Sequence, residues 1–253
     1  MIIVLLVFAS LYYAIEFARQ ELVKRRNAFR GEVLLVTAHP DDECMFFAPT
    51  LRELTQREIP VHILCLSTGN YDGLGVKRAL EFKASCAVMG ITNCMVADEE
   101  KLRDGPSKWQ AKDIAHVLTD KLRHLPAVRT IMTFDKNGIS GHPNHCDVST
   151  GVRYFAMHSS DEYHLMELIT LPWFLKYLGP LMVIYECIQS GLVSNPTSRY
   201  ISVIPWNEYF RYGIRAMIQH RTQLVWFRWL YLLASSYMHI NTLYMHKPKT
   251  VDK

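Results

Sequence analysis

The chain has 253 residues, of which 49% are apolar and 21% charged, and its formal net charge is +4. This composition excludes a disordered chain, and the length suffices for one α/β domain with a complete core. The small positive charge argues against nucleic-acid binding but allows a weak attraction to anionic lipid. The six cysteines are scattered and form no CxxC pair, which indicates reduced intracellular thiols rather than disulfides.

The N-terminal segment is the most apolar part of the chain. Residues 2–15 read IIVLLVFASLYYAI, and basic residues follow them: Arg19, Lys24, Arg25, Arg26 and Arg30. A cleaved signal peptide carries its basic residues before the apolar run, so we predict an uncleaved transmembrane helix as a membrane anchor over residues 1–18 and a basic linker over 19–32. The positive-inside rule then places the remaining domain, residues 33–253, in the cytosol. The alternative is an ordinary buried N-terminal helix.

Strand and helix patterns alternate after the linker. Short apolar runs predict four strands, at Val33–Thr37, Val61–Leu66, Cys94–Ala97 and Thr130–Phe134. Helical periodicity predicts four helices, at Cys44–Arg57, Leu74–Met89, Lys108–His124 and Asn144–His158. The alternation predicts an α/β fold with a Rossmann-like, mostly parallel sheet and helices on both faces. In such sheets the ligand lies beyond the carboxyl ends of the strands.

The C-terminal third is rich in aromatic residues and arginine. Residues 206–233 read WNEYFRYGIRAMIQHRTQLVWFRWLYLL. We interpret most of this segment as a large amphipathic helix packed on the sheet, and a contribution at a membrane surface stays open. A second membrane span over Leu165–Ile188 is not expected, because Glu167, Lys176 and Pro180 interrupt the apolar run.

Two polar clusters follow the first and the fourth predicted strands. The first is AHPDDE, residues 38–43, and the second is GHPNH, residues 141–145. Two distant imidazoles and a carboxylate make a three-ligand site with a fourth position open to water, which is typical of catalytic zinc. Because the neighbouring side chains of Asp41 and Asp42 diverge, we expect one to bind the metal and the other to face the bound water. Helix capping by these acids and surface exposure of the histidines are the alternatives.

These motifs resemble the LmbE-like deacetylase superfamily and, within it, the PIG-L family of N-acetylglucosaminyl-phosphatidylinositol de-N-acetylases. The segments HPDDECMFFAPTL, TFDKNGISGHPNH and HRTQLVWFRWLY carry the resemblance, together with the layout of anchor and domain. The resemblance implies zinc-dependent removal of acetate from N-acetylglucosaminyl-phosphatidylinositol (GlcNAc-PI), the second step of glycosylphosphatidylinositol-anchor synthesis. It also implies that the enzyme acts at the cytoplasmic face of the endoplasmic reticulum membrane. The implied partners are this glycolipid and the membrane.

The resemblance further implies a role for each motif residue. Three residues would bind the metal: His39, Asp42 and His145. Asp41 would be the general base, and His142 the acid or the oxyanion partner. In some bacterial relatives a tyrosine stands two positions before this histidine, where the present chain has Ser140.

The residue types suit amide hydrolysis independently of the resemblance. Zinc polarises an amide carbonyl and lowers the pKa of bound water to about 7, although iron, manganese or cobalt would also suit two histidines and one aspartate. Asp41 would take a proton from the water, and a protonated His142 would stabilise the oxyanion. Either residue would then protonate the departing amine.

Four further residues are candidates for supporting roles. Arg78, in the helix after a glycine-containing loop, is predicted to bind the sugar or the phosphate, unless it is a solvated helix residue. Asn144 and His220 are the other substrate-binding candidates. Asp135 precedes the second motif, where it would either fix the tautomer of an imidazole or cap its loop.

Two other functions are compatible with the motifs. The chain would deacetylate a different N-acetylglucosamine conjugate, or it would be a catalytically silent scaffold. The second alternative is disfavoured because all five motif positions are intact: His39, Asp41, Asp42, His142 and His145.

Overall fold

The computed structural model of the protein describes residues 2–23, 28–192 and 198–246. Within them the strands are β1 Glu32–Thr37, β2 Val61–Cys65, β3 Asn93–Val96, β4 Val128–Phe134, β5 His164–Leu168, β6 Arg199–Val203 and β7 Ile240–Met245. The helices are α1 Ile2–Val23, α2 Asp42–Phe46, α3 Ala48–Gln56, α4 Gly75–Val88, α5 Ala111–Arg123, α6 Gly138–Gly141, α7 Pro143–His158, α8 Trp173–Lys176, α9 Leu181–Leu192, α10 Trp206–Glu208, α11 Arg215–Gln219 and α12 Trp226–Ala234.

These strands form one sheet in the order β3-β2-β1-β4-β5-β7-β6. The strands β1 to β5 pair in parallel, and β7 runs antiparallel to both β5 and β6. The chain moves outward from β1 through β2 to β3 and then returns to β4 on the other side of β1. This reversal makes the gap between β1 and β4 the place where a ligand is expected in a doubly wound sheet.

Strand β1 is buried on both faces of the sheet. Leu34 and Val36 lie in one hydrophobic core with α5 and α7, and Val33 and Leu35 lie in the other with α3 and α4. Successive side chains of a strand point to opposite faces, which is why a continuous apolar run fits a strand covered on both sides. The predicted α/β fold with a mostly parallel sheet and helices on both faces is confirmed.

The predicted helix at Cys44–Arg57 is divided into α2 and α3. Phe47 lies between them with φ −115° and ψ 1°, outside the helical region. Pro49 stands in the first turn of α3, where proline is tolerated, whereas inside one continuous helix it would remove a backbone hydrogen bond and clash with the carbonyl four residues earlier. One continuous helix is therefore not possible.

The C-terminal third departs most from the sequence-based expectation. The large helix expected over residues 206–233 is wrong, because the segment forms α10, a π-helical turn at Tyr209–Ile214, α11, a 3-10 turn at Arg221–Gln223 and α12. The strands β5, β6 and β7, which no pattern predicted, complete the sheet. His220 ends α11 with φ −80° and ψ 60°.

Helix α1 continues through the predicted boundary between anchor and linker at residues 18 and 19. Its C-terminal half packs on the domain through Ile15, Ala18 and Leu22, while apolar side chains of its first half are exposed. Among the described residues, no helix has both the length and the hydropathy that crossing a bilayer requires. Residues 24–27 of the predicted linker lie outside the described part of the chain.

Candidate active site

The two sequence motifs meet at the carboxyl ends of β1 and β4. These strands are neighbours, with Leu35 paired to Met132, so the loops that follow them emerge side by side. A cavity of about 400 Å³ opens there, a size typical of small-molecule sites. His39, Asp41 and Asp42 line it from the first loop, and His142 and His145 line it from the second.

Three imidazoles converge at the base of this cavity. The ring centroids of His39 and His142 are 4.9 Å apart, those of His142 and His145 4.8 Å, and those of His39 and His145 5.5 Å. One ring nitrogen from each lies within 4.8 Å of the other two. Such convergence is the arrangement that a shared cation requires.

Asp42 joins this group from the start of α2. Its Oδ1 lies 3.2 Å from His145 Nε2, and its Oδ2 lies 3.9 Å from His39 Nδ1. The Oδ2 atom also accepts hydrogen bonds from the backbone N–H groups of Ala38 and His39, which hold the carboxylate in place. Burial would raise the pKa of Asp42, but the adjacent imidazoles and these hydrogen bonds hold it well below its usual range.

The hydrogen bonds of the two buried imidazoles fit a metal ion. His145 Nδ1 lies 3.2 Å from the carbonyl oxygen of Gly138, so Nδ1 carries a proton, and in the neutral form of the ring Nε2 presents a lone pair to the Asp42 carboxylate. Two such acceptors oppose each other at 3.2 Å unless a proton or a cation lies between them. His39 Nε2 is buried without a hydrogen bond, although Asp104 Oδ1 lies 3.2 Å away. These donors therefore form a candidate metal centre.

His142 is the exposed member of the three histidines. Desolvation and the two neighbouring imidazoles lower the pKa of His142 to about 4. The imidazole is therefore neutral near pH 7, whereas the sequence-based expectation was a protonated oxyanion partner. A neutral ring still donates one N–H group to an oxyanion.

Asp41 is buried next to the donors of the candidate metal centre and has a strained backbone. Its φ of 118° is unusual for a residue with a side chain. The carboxylate lies between two guanidinium groups: Arg78 Nη2 is 3.5 Å from Oδ1, and Arg228 Nη2 donates a 3.3 Å hydrogen bond to Oδ2. Burial and the charge of Asp42 raise the pKa of Asp41, against the opposing effect of the two arginines. A buried carboxylate with a raised pKa is suited to proton transfer.

A buried hydrogen-bond network holds the backbone of Asp41. Glu43 Oε2 accepts a hydrogen bond from the Asp41 backbone N–H at 3.1 Å, and its Oε1 lies 2.7 Å from His220 Nε2 and 2.6 Å from Ser85 Oγ. Burial alone would raise the pKa of Glu43, but His220 and Ser85 lower it. Burial alone would lower the pKa of His220, but Glu43 raises it. The hydrogen bonds of Glu43 to His220 and to the Asp41 backbone hold the strained turn.

Of the three predicted substrate-binding residues, only one lines the cavity. Arg78 lines the cavity, but it also donates hydrogen bonds to the carbonyl oxygens of Pro40 and Gly69. His220 is fully buried, and Asn144 is 1% exposed; neither lines the cavity. His220 therefore reaches the site through Glu43 rather than by direct contact.

Asp135 connects loops instead of contacting an imidazole. Its carboxylate accepts hydrogen bonds from the backbone N–H groups of Asn137 and Thr170 and from Thr170 Oγ1. The tautomer of His145 is held by the Gly138 carbonyl. This placement matches the loop-capping alternative for Asp135.

Two charged residues that contact the predicted site residues were not predicted from the sequence. Asp104 follows β3 and lies 3.2 Å from His39 Nε2; an acid in the loop after a third parallel strand was the available signal. Arg228 of α12 donates a hydrogen bond to Asp41. The sequence feature that could have indicated it is a single charged residue inside the apolar run WFRWLYLL. Ser140 also lines the cavity, as do Tyr177, Tyr231 and Tyr237.

The fold is that of a group of known deacetylases. N,N'-diacetylchitobiose deacetylase from Pyrococcus horikoshii superposes with a TM-score of 0.60 at 17% identity, covering 92% of this chain and 88% of that one. Such a likeness shows that the two chains share the fold.

Sequence comparison makes the assignment more specific. Residues 34–156 match the family described as PIG-L, GlcNAc-PI de-N-acetylase. N-acetylglucosaminyl-phosphatidylinositol de-N-acetylase of Bos taurus is 36% identical over 220 residues, which cover 84% of this chain and 83% of that protein. The probable enzyme of the same name from Schizosaccharomyces pombe is 36% identical over 217 residues, covering 83% and 85%. The chain belongs to the family of GlcNAc-PI de-N-acetylases, as its motifs predicted.

Proposed function

We propose that the protein hydrolyses the acetamide of GlcNAc-PI and releases acetate and glucosaminyl-phosphatidylinositol. The observation that carries this proposal is Asp41, a buried carboxylate with a raised pKa beside three convergent imidazoles in one cavity. The names of the relatives supply the substrate, since the bovine protein is a de-N-acetylase of this glycolipid.

A divalent cation, for which we propose Zn²⁺, would be held by His39, Asp42 and His145, with His142 close enough to share it. The buried Nε2 of His39, which makes no hydrogen bond, and the opposed acceptors of Asp42 and His145 support this choice of ligands. When bound there, the ion supplies a Lewis acid for the amide carbonyl. Other divalent metals would suit the same donors.

Asp41 takes a proton from the attacking water as the water oxygen adds to the carbonyl carbon. The guanidinium groups of Arg78 and Arg228 keep the carboxylate oriented while it holds the proton. His142, neutral near pH 7, donates an N–H group to the oxyanion. The carbon–nitrogen bond then breaks, and the proton held by Asp41 passes to the sugar nitrogen, so that acetate and a free amine leave.

The phosphate of the substrate needs a cationic partner, for which Arg78 remains one candidate. Lys176 is a second candidate, because it lines the same cavity and donates a hydrogen bond to the Ile139 carbonyl. Arg78 lies against the Asp41 carboxylate, whereas Lys176 contacts the loop that carries Ile139.

We also propose that the protein acts on the endoplasmic reticulum membrane, with its catalytic domain on the cytosolic side. The apolar first half of α1 and the basic residues that follow it in the sequence support this placement. Protease added outside sealed microsomes should degrade the domain. Full protection until detergent is added would contradict the proposed orientation.

The experiment that tests the activity is an acetate-release assay on GlcNAc-PI with the purified full chain, with and without a chelator. We expect turnover that the chelator abolishes and added Zn²⁺ restores. Release from another N-acetylglucosamine conjugate but not from the glycolipid would identify a different substrate. No release from either, with the metal bound, would identify a silent family member and overturn the proposal.

A further inference from the structure

Helix α12 has two faces with opposite surroundings. Its inner face serves the cavity: Arg228 bonds Asp41, and the Tyr231 hydroxyl donates to the Met45 carbonyl at 2.9 Å. Its outer face carries four large apolar side chains at the spacing i, i+3, i+4 and i+7: Trp226, Trp229, Leu230 and Leu233. All four are exposed, Trp226 to 76% and Leu233 to 70%. A helix on an aqueous surface normally carries polar residues on this side.

Helix α8 extends this apolar surface. Trp173 is 77% exposed and Phe174 55%. The two helices are adjacent, because Ser236 Oγ, just after α12, donates a hydrogen bond to the Leu175 carbonyl of α8. Gly179, just after α8, also lies close to the end of α12, because a Cβ added to it would be 3.3 Å from the carbonyl oxygen of Leu233. We call the combined surface the aromatic face: Trp173, Phe174, Trp226, Trp229, Leu230 and Leu233.

The aromatic face reaches the mouth of the cavity. Tyr177, directly after α8, and Phe227, within α12, are both more than half exposed and both line the cavity. A protein that covered the aromatic face would therefore lie against the entrance to the active site. A lipid surface at the same place would instead present a lipid-linked sugar to that entrance.

We propose that the aromatic face is a membrane-docking surface, which seats the catalytic domain on a phospholipid bilayer with the cavity mouth at headgroup level. The inference rests on the proposed function, since only a lipid-linked substrate gives this orientation a purpose. Tryptophan and tyrosine prefer the boundary between headgroups and acyl chains, and leucine prefers the acyl chains below it. Neighbouring exposed apolar side chains in such number mark an interaction surface on a soluble domain.

The first test measures insertion and does not depend on catalysis. The full chain is mixed with vesicles of phosphatidylcholine and phosphatidylinositol whose acyl chains are brominated, and quenching of tryptophan fluorescence is recorded. We expect strong quenching for the unchanged protein and for the control Trp206→Phe, which lies outside the aromatic face. The triple variant Trp173→Phe/Trp226→Phe/Trp229→Phe keeps the face apolar but removes its indoles, and it should lose most of the quenching. Undiminished quenching in the triple variant would overturn the proposal.

The second test separates docking from chemistry. The variant Trp226→Ser/Trp229→Ser/Leu230→Ser should hydrolyse GlcNAc-PI in vesicles at least about tenfold more slowly, the factor that corresponds to about 1.4 kcal/mol of lost binding. It should hydrolyse the soluble GlcNAc-inositol phosphate, which lacks acyl chains, at the unchanged rate. The control Val76→Ser/Leu80→Ser removes two exposed apolar side chains of α4 and should change neither rate.

The outcomes distinguish this proposal from the proposed function. Quenching without hydrolysis of either substrate would leave docking supported and refute the activity. Equal vesicle rates for the serine variant and the control would refute docking and leave the activity. A dimer that the serine variant dissociates, measured by sedimentation velocity without lipid, would assign the aromatic face to a second copy of the chain and overturn the proposal.

Discussion

The Asp41 carboxylate is held by two arginines that are distant from it in sequence, and its backbone is held by the nearby Glu43. Arg78 comes from α4, Arg228 from α12, and Glu43 fixes the Asp41 backbone from α2. The positive φ at Asp41 turns this side chain away from that of Asp42, so that adjacent carboxylates take different roles. Asp42 faces His145, and Asp41 faces the arginines.

Replacement of Asp41 tests this division of roles. Asp41→Asn keeps the shape of the side chain but removes the base, so we expect metal binding to persist while turnover falls roughly 100- to 10,000-fold. His145→Ala should lose both metal and activity, because it removes a predicted ligand. Metal content by atomic emission and acetate release on the same samples measure both effects. Normal turnover in Asp41→Asn would mean that another group is the base.

Arg228 provides a second test at the residue scale. Arg228→Met removes the hydrogen bond to Asp41 Oδ2, which is worth about 1.5–3 kcal/mol for a charged group. We expect kcat to fall roughly 10- to 200-fold, with little change in metal affinity. Arg221→Met, an exposed arginine of the preceding 3-10 turn, is the matched control and should retain full kcat. Equal kcat values for the two variants would remove Arg228 from the mechanism.

At the scale of elements, a buried carboxylate ties the antiparallel end of the sheet to helix α7. Glu167 of β5 accepts hydrogen bonds from Arg153 of α7, and it lies 2.9 Å from His246 Nε2, just after β7. Burial would raise the pKa of Glu167, but His246 and Arg153 outweigh burial and lower it. The charged form therefore stabilises the fold.

This contact predicts a dependence of stability on pH. Because the pKa of Glu167 is lower in the folded chain than in the unfolded chain, its contribution is complete above about pH 4.3, the ordinary value for glutamate, and is lost as the pH falls through the folded pKa. Glu167→Gln should cost about 1–3 kcal/mol at pH 7, a range that allows for solvent screening of its partly exposed partners.

Urea unfolding measures this effect. The difference between the unchanged protein and Glu167→Gln should be large at pH 7 and shrink towards pH 3. Glu99→Gln, an exposed acid in a loop, is the control and should match the unchanged protein at each pH. A difference that is the same at both pH values would show that Glu167 contributes packing rather than charge.

At the scale of the whole molecule, the site joins segments from both halves of the chain. The loops after β1 and β4 supply the imidazoles and carboxylates, the loop after β3 supplies Asp104, and α12 supplies Arg228. The three loops lie at the same rim because parallel strands end at one edge of the sheet, and α12 joins them through the hydrogen bond from Arg228 to Asp41. A cation held between two of these loops would therefore stabilise the fold as well as the reaction.

Metal binding should accordingly raise the melting temperature. A ligand at 100 times its Kd stabilises the folded state by about 2.7 kcal/mol, which corresponds to roughly 5–10 °C for a chain of this size. We expect this rise when Zn²⁺ is added to chelator-treated protein, and its absence in His145→Ala. His116→Ala removes an exposed histidine of α5 and should retain the rise. A rise that survives in His145→Ala would place the metal elsewhere.

The sequence by itself determined the first four parallel strands, β1 to β4, and the two motifs at their carboxyl edge. Continuous apolar runs and helical periodicity are local signals, and the position of a polar motif after a strand sets its place on the rim. Residues whose partners are close in sequence, such as Asp42 with the backbone of Ala38 and His39, belong to this predictable part.

Tertiary structure alone decided the C-terminal third and the surroundings of Asp41. Strand β7 finds its place only by pairing with β5 and β6, and α12 turns Arg228 towards a carboxylate 187 residues away in the chain. The loss of the single helix expected over 206–233 has the same origin, because His220 is buried against Glu43 at the point where α11 ends. Contacts between distant segments outweigh local propensity, and a single sequence does not display them.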